Sequence, residues 1–144
     1  MTITAKQRLV VAALAVLAVW PLAHRALVVR YDLDPWRFFG WAMYCTPKLP
    51  VDIHLFTVEN GVRVSVEPHS LTPAQRRSVY ALQFRRSIWG SLASPARVGS
   101  AILAAKPEAD IVEVVVSKWY LDPATAHIAT RDEHYRFQRD PTAP

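Results

Sequence analysis

An apolar run near the N-terminus constrains this chain more than any other feature. Leu9 to Ala23 contains no charged residue, and the wider segment Leu9–Val29 stays predominantly apolar. As a helix, that wider segment would measure about 31 Å at ~1.5 Å per residue, which matches the ~30 Å hydrocarbon core of a bilayer. The sequence therefore predicts one membrane-spanning helix, and we assign residues 1–30 to an N-terminal membrane anchor.

The far end of this segment is less apolar and raises the question of cleavage. His24 and Arg25 follow the apolar run, and Pro21 lacks a backbone donor. A helix tolerates them when the arginine extends its charge to the interface. A signal peptide cleaved after Ala23 would need a small residue where Pro21 stands. We therefore expect an uncleaved anchor and a single-pass membrane protein.

Charge determines the topology poorly, because basic residues flank both ends of the span. Lys6 and Arg8 precede it, whereas Arg25, Arg30 and Arg37 follow it. The positive-inside rule compares these flanks and finds them nearly equal. A basic start followed by an apolar stretch is typical of a signal anchor, which favours a cytoplasmic N-terminus. We expect the following domain to be extracytoplasmic.

An aromatic cluster lies in residues 31–50, directly after the predicted span. Its members are Trp36, Phe38, Phe39, Trp41 and Tyr44, with Met43 beside them. Rings at this position are typical of a belt at the level of the lipid headgroups. Aromatic residues and methionine are also favoured anchors at protein interfaces. Both interpretations stay open: a lipid-facing belt, or a docking strip for another membrane subunit.

The clearest local pattern, over Val51–Glu67, predicts a β-hairpin. Apolar residues alternate with other residues on both sides of Asn60-Gly61, the dipeptide best suited to the positive φ angles of a type I′ turn. A two-residue loop there makes Leu55 face Val66. Because the apolar residues then share one side, we expect that side to face the core.

Helical and extended patterns follow the hairpin. Thr72, Pro73 and Gln75 are typical of a capped helix start, and Gly90 of a helix end. We predict helices from Pro73 to Trp89 and from Pro95 to Ala105, then strands over Ile111–Tyr120 and His127–Gln138. The predicted fold class is α+β: after the transmembrane helix, an antiparallel sheet with helices on one face, in the order β-β-α-α-β-β. The soluble domain spans residues 51–138, and residues 139–144 form a frayed tail.

The net charge of +5 rests mainly on arginine, since only four of the 17 basic residues are lysine. Arginine matches phosphates and carboxylates, so anionic lipid headgroups or an acidic partner are natural counterparts. Excess charge also keeps a small domain soluble, and we favour that reading because the arginines are scattered. They do not alternate with stacking aromatics, so the pattern predicts no nucleic-acid binding.

The usual catalytic and nucleotide-binding motifs do not occur in the sequence. Its single cysteine, Cys45, excludes an internal disulfide and any multi-cysteine metal site within one chain. With four glycines, the chain has no phosphate-cradling loop, and it contains neither a nucleophile elbow nor an HExxH motif. We therefore predict no cofactor, and the sequence favours a non-enzymatic role.

One polar constellation follows from the hairpin register. If the ladder continued, His54 would face Glu67 and Asp52 would face His69 on the side away from the core. Two imidazoles and two carboxylates in one patch could bind a divalent metal. Exposed cross-strand charge pairs are commonplace, however, and Pro68 interrupts the ladder. We therefore expect no metal at these four residues.

Glu113 stands out as a carboxylate within an otherwise apolar predicted strand. A buried carboxylate needs a partner, and we expect Arg131 or Arg136 from the next strand. A structural ion pair explains this residue better than catalysis does. His127, Asp132, Glu133 and His134 are divided between the two faces of the last strand and are interpreted as surface.

The sequence favours a membrane-tethered accessory or assembly protein that contacts a membrane partner or anionic lipid. Its expected partners are the lipid bilayer and a larger membrane protein or complex, without nucleic acid. The predicted interaction residues are Trp36, Phe38, Phe39, Trp41, Met43, Tyr44, Arg76, Arg77, Arg85 and Arg86. One alternative is a metal-binding module or metal-dependent enzyme built on the hairpin patch. The other is a pocket for a lipid-like ligand under the helices.

Overall fold

The computed structural model describes residues 4–37, 49–122 and 124–139, and within them it shows the predicted α+β fold. The helices are α1 (Ala5–Tyr31), α2 (Pro73–Trp89) and α3 (Ala96–Ala105), and the strands are β1 (Val51–Glu59), β2 (Val62–Ser65), β3 (Ile111–Leu121) and β4 (Ile128–Gln138). Short 3-10 turns cover Pro68–Ser70 and Gly90–Leu92. All strand pairs are antiparallel, in the order β2-β1-β3-β4. The predicted element order is confirmed.

Helix α1 is long and apolar enough to cross a membrane. A capping box between Thr4 and Gln7 starts it, and the helix continues through Pro21. Its aliphatic side chains are largely exposed over most of its length; Leu9, for example, is 72% exposed. In water, a helix with so much exposed apolar surface would be unfavourable, because its burial is what normally stabilises an apolar helix.

The β1–β2 hairpin has the predicted turn and register. Asn60 and Gly61 both have positive φ angles, 52° and 79°, as a type I′ turn requires. The Val66 amide donates to the Leu55 carbonyl at 2.9 Å, which extends the pairing beyond the end of β2. The core side of β2 differs from the expectation, since Val64 is exposed and only Val66 is buried. Helices α2 and α3 pack mainly on β1, β3 and β4, and they leave most of the edge strand β2 uncovered.

The core lies between the sheet and helices α2 and α3. Leu82 and Ile102, one from each helix, pack against the sheet residues Val112 and Val114, and all four are almost completely buried. A cavity of about 360 Å³ lies beside this packing, between the hairpin and α2, so the hypothesis of a lipid-like ligand under the helices stays a prediction. No described helix packs on the opposite face of the sheet, where β3 presents Glu113.

Candidate functional site

The end of α1 is joined to the domain by several specific contacts. Asp32 ends the helix in a left-handed conformation, and its amide donates to the Val28 carbonyl at 2.8 Å. The Asp34 amide donates to the Ile88 carbonyl near the end of α2, at 2.9 Å. An ion pair joins Lys118 of β3 to Asp32. The C-terminal end of α1 and the residues after it are therefore joined to the domain through two of its elements, β3 and α2.

Gly90 lets the end of α2 approach the end of α1. Its φ angle is +51°, a conformation that side chains disfavour. A Cβ atom at this position would collide with the carbonyl oxygens of Tyr31 and Asp32. The Ser91 hydroxyl donates to the same Tyr31 carbonyl at 3.1 Å. The sequence predicted Gly90 as a helix end, but its second role, close backbone contact with α1, has no signal in the local pattern.

A cavity of about 610 Å³ opens beside this junction. Its wall combines the end of α1, the segment after it, the start of β1, the C-terminal part of α2 and the facing ends of β3 and β4. Its lining includes Val29, Arg30, Leu33, Trp36, Tyr120 and Arg131. The volume is typical of a small-molecule site, and the wall mixes apolar, aromatic and basic side chains.

One wall of the cavity is a buried polar network. Arg86 donates to a Glu133 carboxylate oxygen at 3.0 Å and to the Tyr135 hydroxyl at 2.6 Å, and that hydroxyl donates to the same Glu133 oxygen. The Arg86 side chain is only 2% exposed. Burial raises the pKa of Tyr135, its hydrogen bond to Glu133 adds to the effect, and Arg86 opposes it. The tyrosine therefore stays protonated as a donor.

Arg86 is thus a correction to the predicted interaction surface. The sequence grouped it with Arg76, Arg77 and Arg85 on the polar side of α2, and only those three are exposed. The helical period turns Arg86 inward beside Leu82, where Glu133 neutralises its charge. A charged residue on the buried stripe of a helix has no marker in a single sequence, because its partner lies on another element.

The outer face of α2 is basic and aromatic. Tyr80 and Phe84, one turn apart, are 62% and 64% exposed, and Trp89 at the end of the helix is 43% exposed. Arg77 and Arg85 flank them, and the helix contains no acidic residue. By the helical period Trp89 lies on the side of the buried Leu82. The remaining exposed side chains lie on the side away from Leu82, and we call this side the α2 outer face: Arg76, Arg77, Tyr80, Phe84 and Arg85.

Only one member of the predicted aromatic cluster lies within the described residues. Phe38, Phe39, Trp41, Met43 and Tyr44, together with Cys45, lie outside the described residues. Trp36 is described: it is exposed, its amide donates to an Asp34 carboxylate oxygen at 3.0 Å, and it lines the cavity. This one member therefore belongs to the junction with α1.

The four residues of the hairpin patch are not brought together as the extended register would require. Strand β2 ends at Ser65, and a 3-10 turn carries His69 away from the ladder. Asp52, His54 and Glu67 do line a common cleft, while Asp52 accepts a hydrogen bond from the Trp119 indole at 2.8 Å. Among the described residues, no three His, Cys, Asp or Glu side chains form a group that could hold a metal.

Glu113 sits on the open face of the sheet under three basic side chains. Arg63 lies 2.8 Å from its carboxylate, His134 3.4 Å and Arg136 3.5 Å. Burial alone would raise the pKa of Glu113, but the charge of Arg63 and the contacts with His134 and Arg136 outweigh it and hold the pKa below its usual value. The expected partner Arg136 is present. Arg131 instead faces Lys118 on the other side of the sheet.

Arg63 is a partner of Glu113 that the sequence reasoning missed. It belongs to β2, and its guanidinium lies 3.6 Å from the centre of the Phe56 ring, over which it reaches to β3. The strand order places β1 between β2 and β3, so this contact crosses a whole strand. The contact between Arg63 and Glu113 can be predicted only when the strand order is known.

Comparisons with known proteins give no relative: no protein-family model, curated protein or solved structure matches this chain.

Proposed function

We propose that this protein is a membrane-tethered, non-enzymatic interaction subunit that binds an acidic surface of another membrane protein through the α2 outer face. The observation that carries the proposal is the fixed joint between an exposed apolar helix and a domain whose outer helix is basic and aromatic. The proposed location is a single-pass membrane protein with its domain on the extracytoplasmic side.

The contact between the end of α1 and the end of α2 supports a position of the α2 outer face close to the membrane. Helix α2 ends at Trp89, and the next residue, Gly90, contacts the last residue of α1 through the backbone. With α1 in a bilayer, the C-terminal end of α2 therefore stands beside the membrane. A face held there meets the exposed parts of neighbouring membrane proteins, and its fixed orientation lowers the entropic cost of binding.

The composition of the face supports a protein partner. Aromatic residues and arginine are enriched at the centres of protein interfaces, where they contribute most of the binding free energy. Tyr80 and Phe84 are one helical turn apart and form a continuous apolar contact surface. Arg76, Arg77 and Arg85 make no ion pair within the part of the chain that the structure describes, so their charges are available to carboxylates on a partner.

Site-specific photo-crosslinking in native membranes tests this proposal. A photoreactive amino acid replaces Phe84 in the full chain, and a matched control places it at Thr130, which is exposed on the open face of the sheet. We expect one discrete adduct at position 84, identified by mass spectrometry as an integral membrane protein, and none of that mass at position 130.

A charge reversal supplies the second part of the test. Arg77→Glu with Arg85→Glu should abolish the adduct at position 84, while Arg97→Glu, on the exposed side of α3, should leave it intact. The proposal fails if position 84 gives no adduct, or if the adduct is insensitive to the α2 charges. A soluble protein as the crosslinked species would equally contradict it.

A further inference from the structure

The position of the cavity relative to α1 points to a ligand of the membrane itself. The apolar stretch of α1 ends at Val29, and Val29 and Arg30 both line the cavity. If the 21 residues from Leu9 span the hydrocarbon core, the following turn lies in the headgroup layer, which is about 5–8 Å thick on each side. The cavity then opens among phospholipid headgroups. This step rests on the proposed membrane location, but it is independent of the partner proposed for α2.

The charges around the cavity favour an anion. Among the described residues, four basic and three acidic side chains line it. Lys118 is paired with Asp32 and Arg86 with Glu133, while the third carboxylate, Asp34, lies 3.9 Å from Arg37. The two that remain, Arg30 and Arg131, make no ion pair among the described residues. Both are exposed. A planar guanidinium without a carboxylate partner is well suited to two-pronged binding of a phosphate.

Aromatic rings hold these two arginines in place. The Arg30 guanidinium lies 5.6 Å from the centre of the Tyr31 ring, and that of Arg131 lies 5.5 Å from the centre of the Tyr120 ring. Stacking on a ring restricts a long side chain without consuming its hydrogen-bond donors. The donors are therefore partly ordered before a ligand arrives, which lowers the entropic cost of binding.

The rest of the wall suits an amphiphile better than a free ion. Val29 and Leu121 supply exposed aliphatic surface, 79% and 46% exposed, and Trp36 adds an indole ring. A free inorganic anion would leave this surface in contact with water. The glycerol and the first carbons of an acyl chain would cover it.

We infer that this cavity binds the headgroup of an anionic phospholipid, with its phosphate between Arg30 and Arg131 and its glycerol end against Val29 and Trp36. The protein would then hold a specific lipid beside its anchor helix. An anionic headgroup is preferred over a zwitterionic one because the local surplus of charge is positive and a choline group would meet Arg30 and Arg131.

Native mass spectrometry of the full chain in non-ionic detergent tests the inference. The chain is incubated with equal amounts of phosphatidylglycerol and phosphatidylcholine that carry the same acyl chains. We expect one phosphatidylglycerol adduct in clear excess. Arg30→Gln with Arg131→Gln should lower the binding of phosphatidylglycerol on the order of tenfold or more, as expected for the loss of two charge-assisted contacts.

The matched control is Arg97→Gln with Lys106→Gln, which changes the net charge equally but lies away from the cavity. It should retain the adduct. Equal binding of both lipids, an unaffected cavity variant, or an equal loss in the control variant would each overturn the inference. Inorganic phosphate in large excess should not displace the lipid. If it does, and binds to the chain on its own, the site is one for a soluble anion.

Carbonate extraction of native membranes distinguishes a failure of the lipid-site inference from a failure of the proposed membrane location. A chain that remains in the membrane but shows no lipid preference contradicts the lipid site alone. A chain that is extracted contradicts both.

Discussion

Arg63 contacts Glu113 at 2.8 Å across an intervening strand, on the sheet face that the helices leave open. The carboxylate is 8% exposed, although a single layer of side chains covers it. Three basic side chains hold it in its ionised form. The open face is thus stabilised by charge where the helix-covered face is stabilised by apolar packing.

Acid should weaken the fold through this carboxylate. The pKa of Glu113 is lower in the folded state than in the unfolded state. Its ionised carboxylate therefore stabilises the fold fully at a pH above the pKa of the unfolded state, and this stabilisation is lost as the pH falls through the pKa of the folded state. We expect Glu113→Gln to flatten the dependence of the free energy of unfolding on pH below about 4.5. Urea unfolding of the full chain in micelles, at a series of pH values, measures this. An unchanged acid slope would contradict the assignment.

Arg86 should matter far more for stability than its neighbour Arg85. Arg86→Met removes a buried ion pair, and we expect a loss of about 2 kcal/mol, reduced from the usual range for buried pairs because Glu133 is 36% exposed. Arg85→Met, at an exposed position, should change the free energy of unfolding by less than about 0.5 kcal/mol. Equal effects of the two substitutions, measured by urea unfolding, would show that Arg86 is not buried as described.

Gly61 and Gly90 both have positive φ angles, so substituting each by alanine separates the cost of backbone strain from the cost of a steric clash. The added methyl group of Gly61→Ala has no atom within 4 Å, so this substitution should lower the free energy of unfolding only through backbone strain, by about 1 kcal/mol. Gly90→Ala adds a collision with the Tyr31 carbonyl, and we expect about 2 kcal/mol more. Gly90→Ala should also speed limited proteolysis between residues 31 and 49, because it disrupts the contact between the end of α1 and the end of α2. The same proteolysis rate in both variants would argue against the joint.

The anchor should remain part of the mature protein. Mass spectrometry of the N-terminus should find the residues before His24, and carbonate washing should leave the chain in the membrane fraction. A soluble chain that begins at His24 would show that the apolar helix is a cleaved signal.

The hairpin patch should not bind metal. Zinc and manganese titration of the wild type should show no stoichiometric binding, and His54→Ala with His69→Ala should change nothing, since the turn after β2 separates His69 from the others. Tight binding that the double substitution removes would reverse this conclusion.

Local chemistry made most of the fold predictable. The Asn60-Gly61 turn, the Thr72 cap and the alternation in β1 are each specified within a few residues, so their positions were correct to about one residue. The exposure of Val64 was not predictable, since it depends on how far two distant helices reach over the sheet.

The candidate site was less predictable because its parts are distant in sequence. Trp36, among the predicted interaction residues, does line the cavity, and Arg30 was noted as a charge flanking the span. The association of Arg30 with Arg131 depends on the whole strand order. Burial of Arg86 likewise depends on Glu133, which follows it by 47 positions.

The direct contact between Gly90 and the end of α1 couples the orientation of the domain to that of the helix. If α1 spans a bilayer as proposed, this contact transmits any movement of the helix to the domain, whereas a flexible linker would absorb that movement. Membrane helices tilt by about 20° on average, and a domain of this size extends roughly 30 Å, so a change of that order would move its far side by roughly 10 Å. Bilayer thickness would therefore set how high the α2 outer face stands above the membrane.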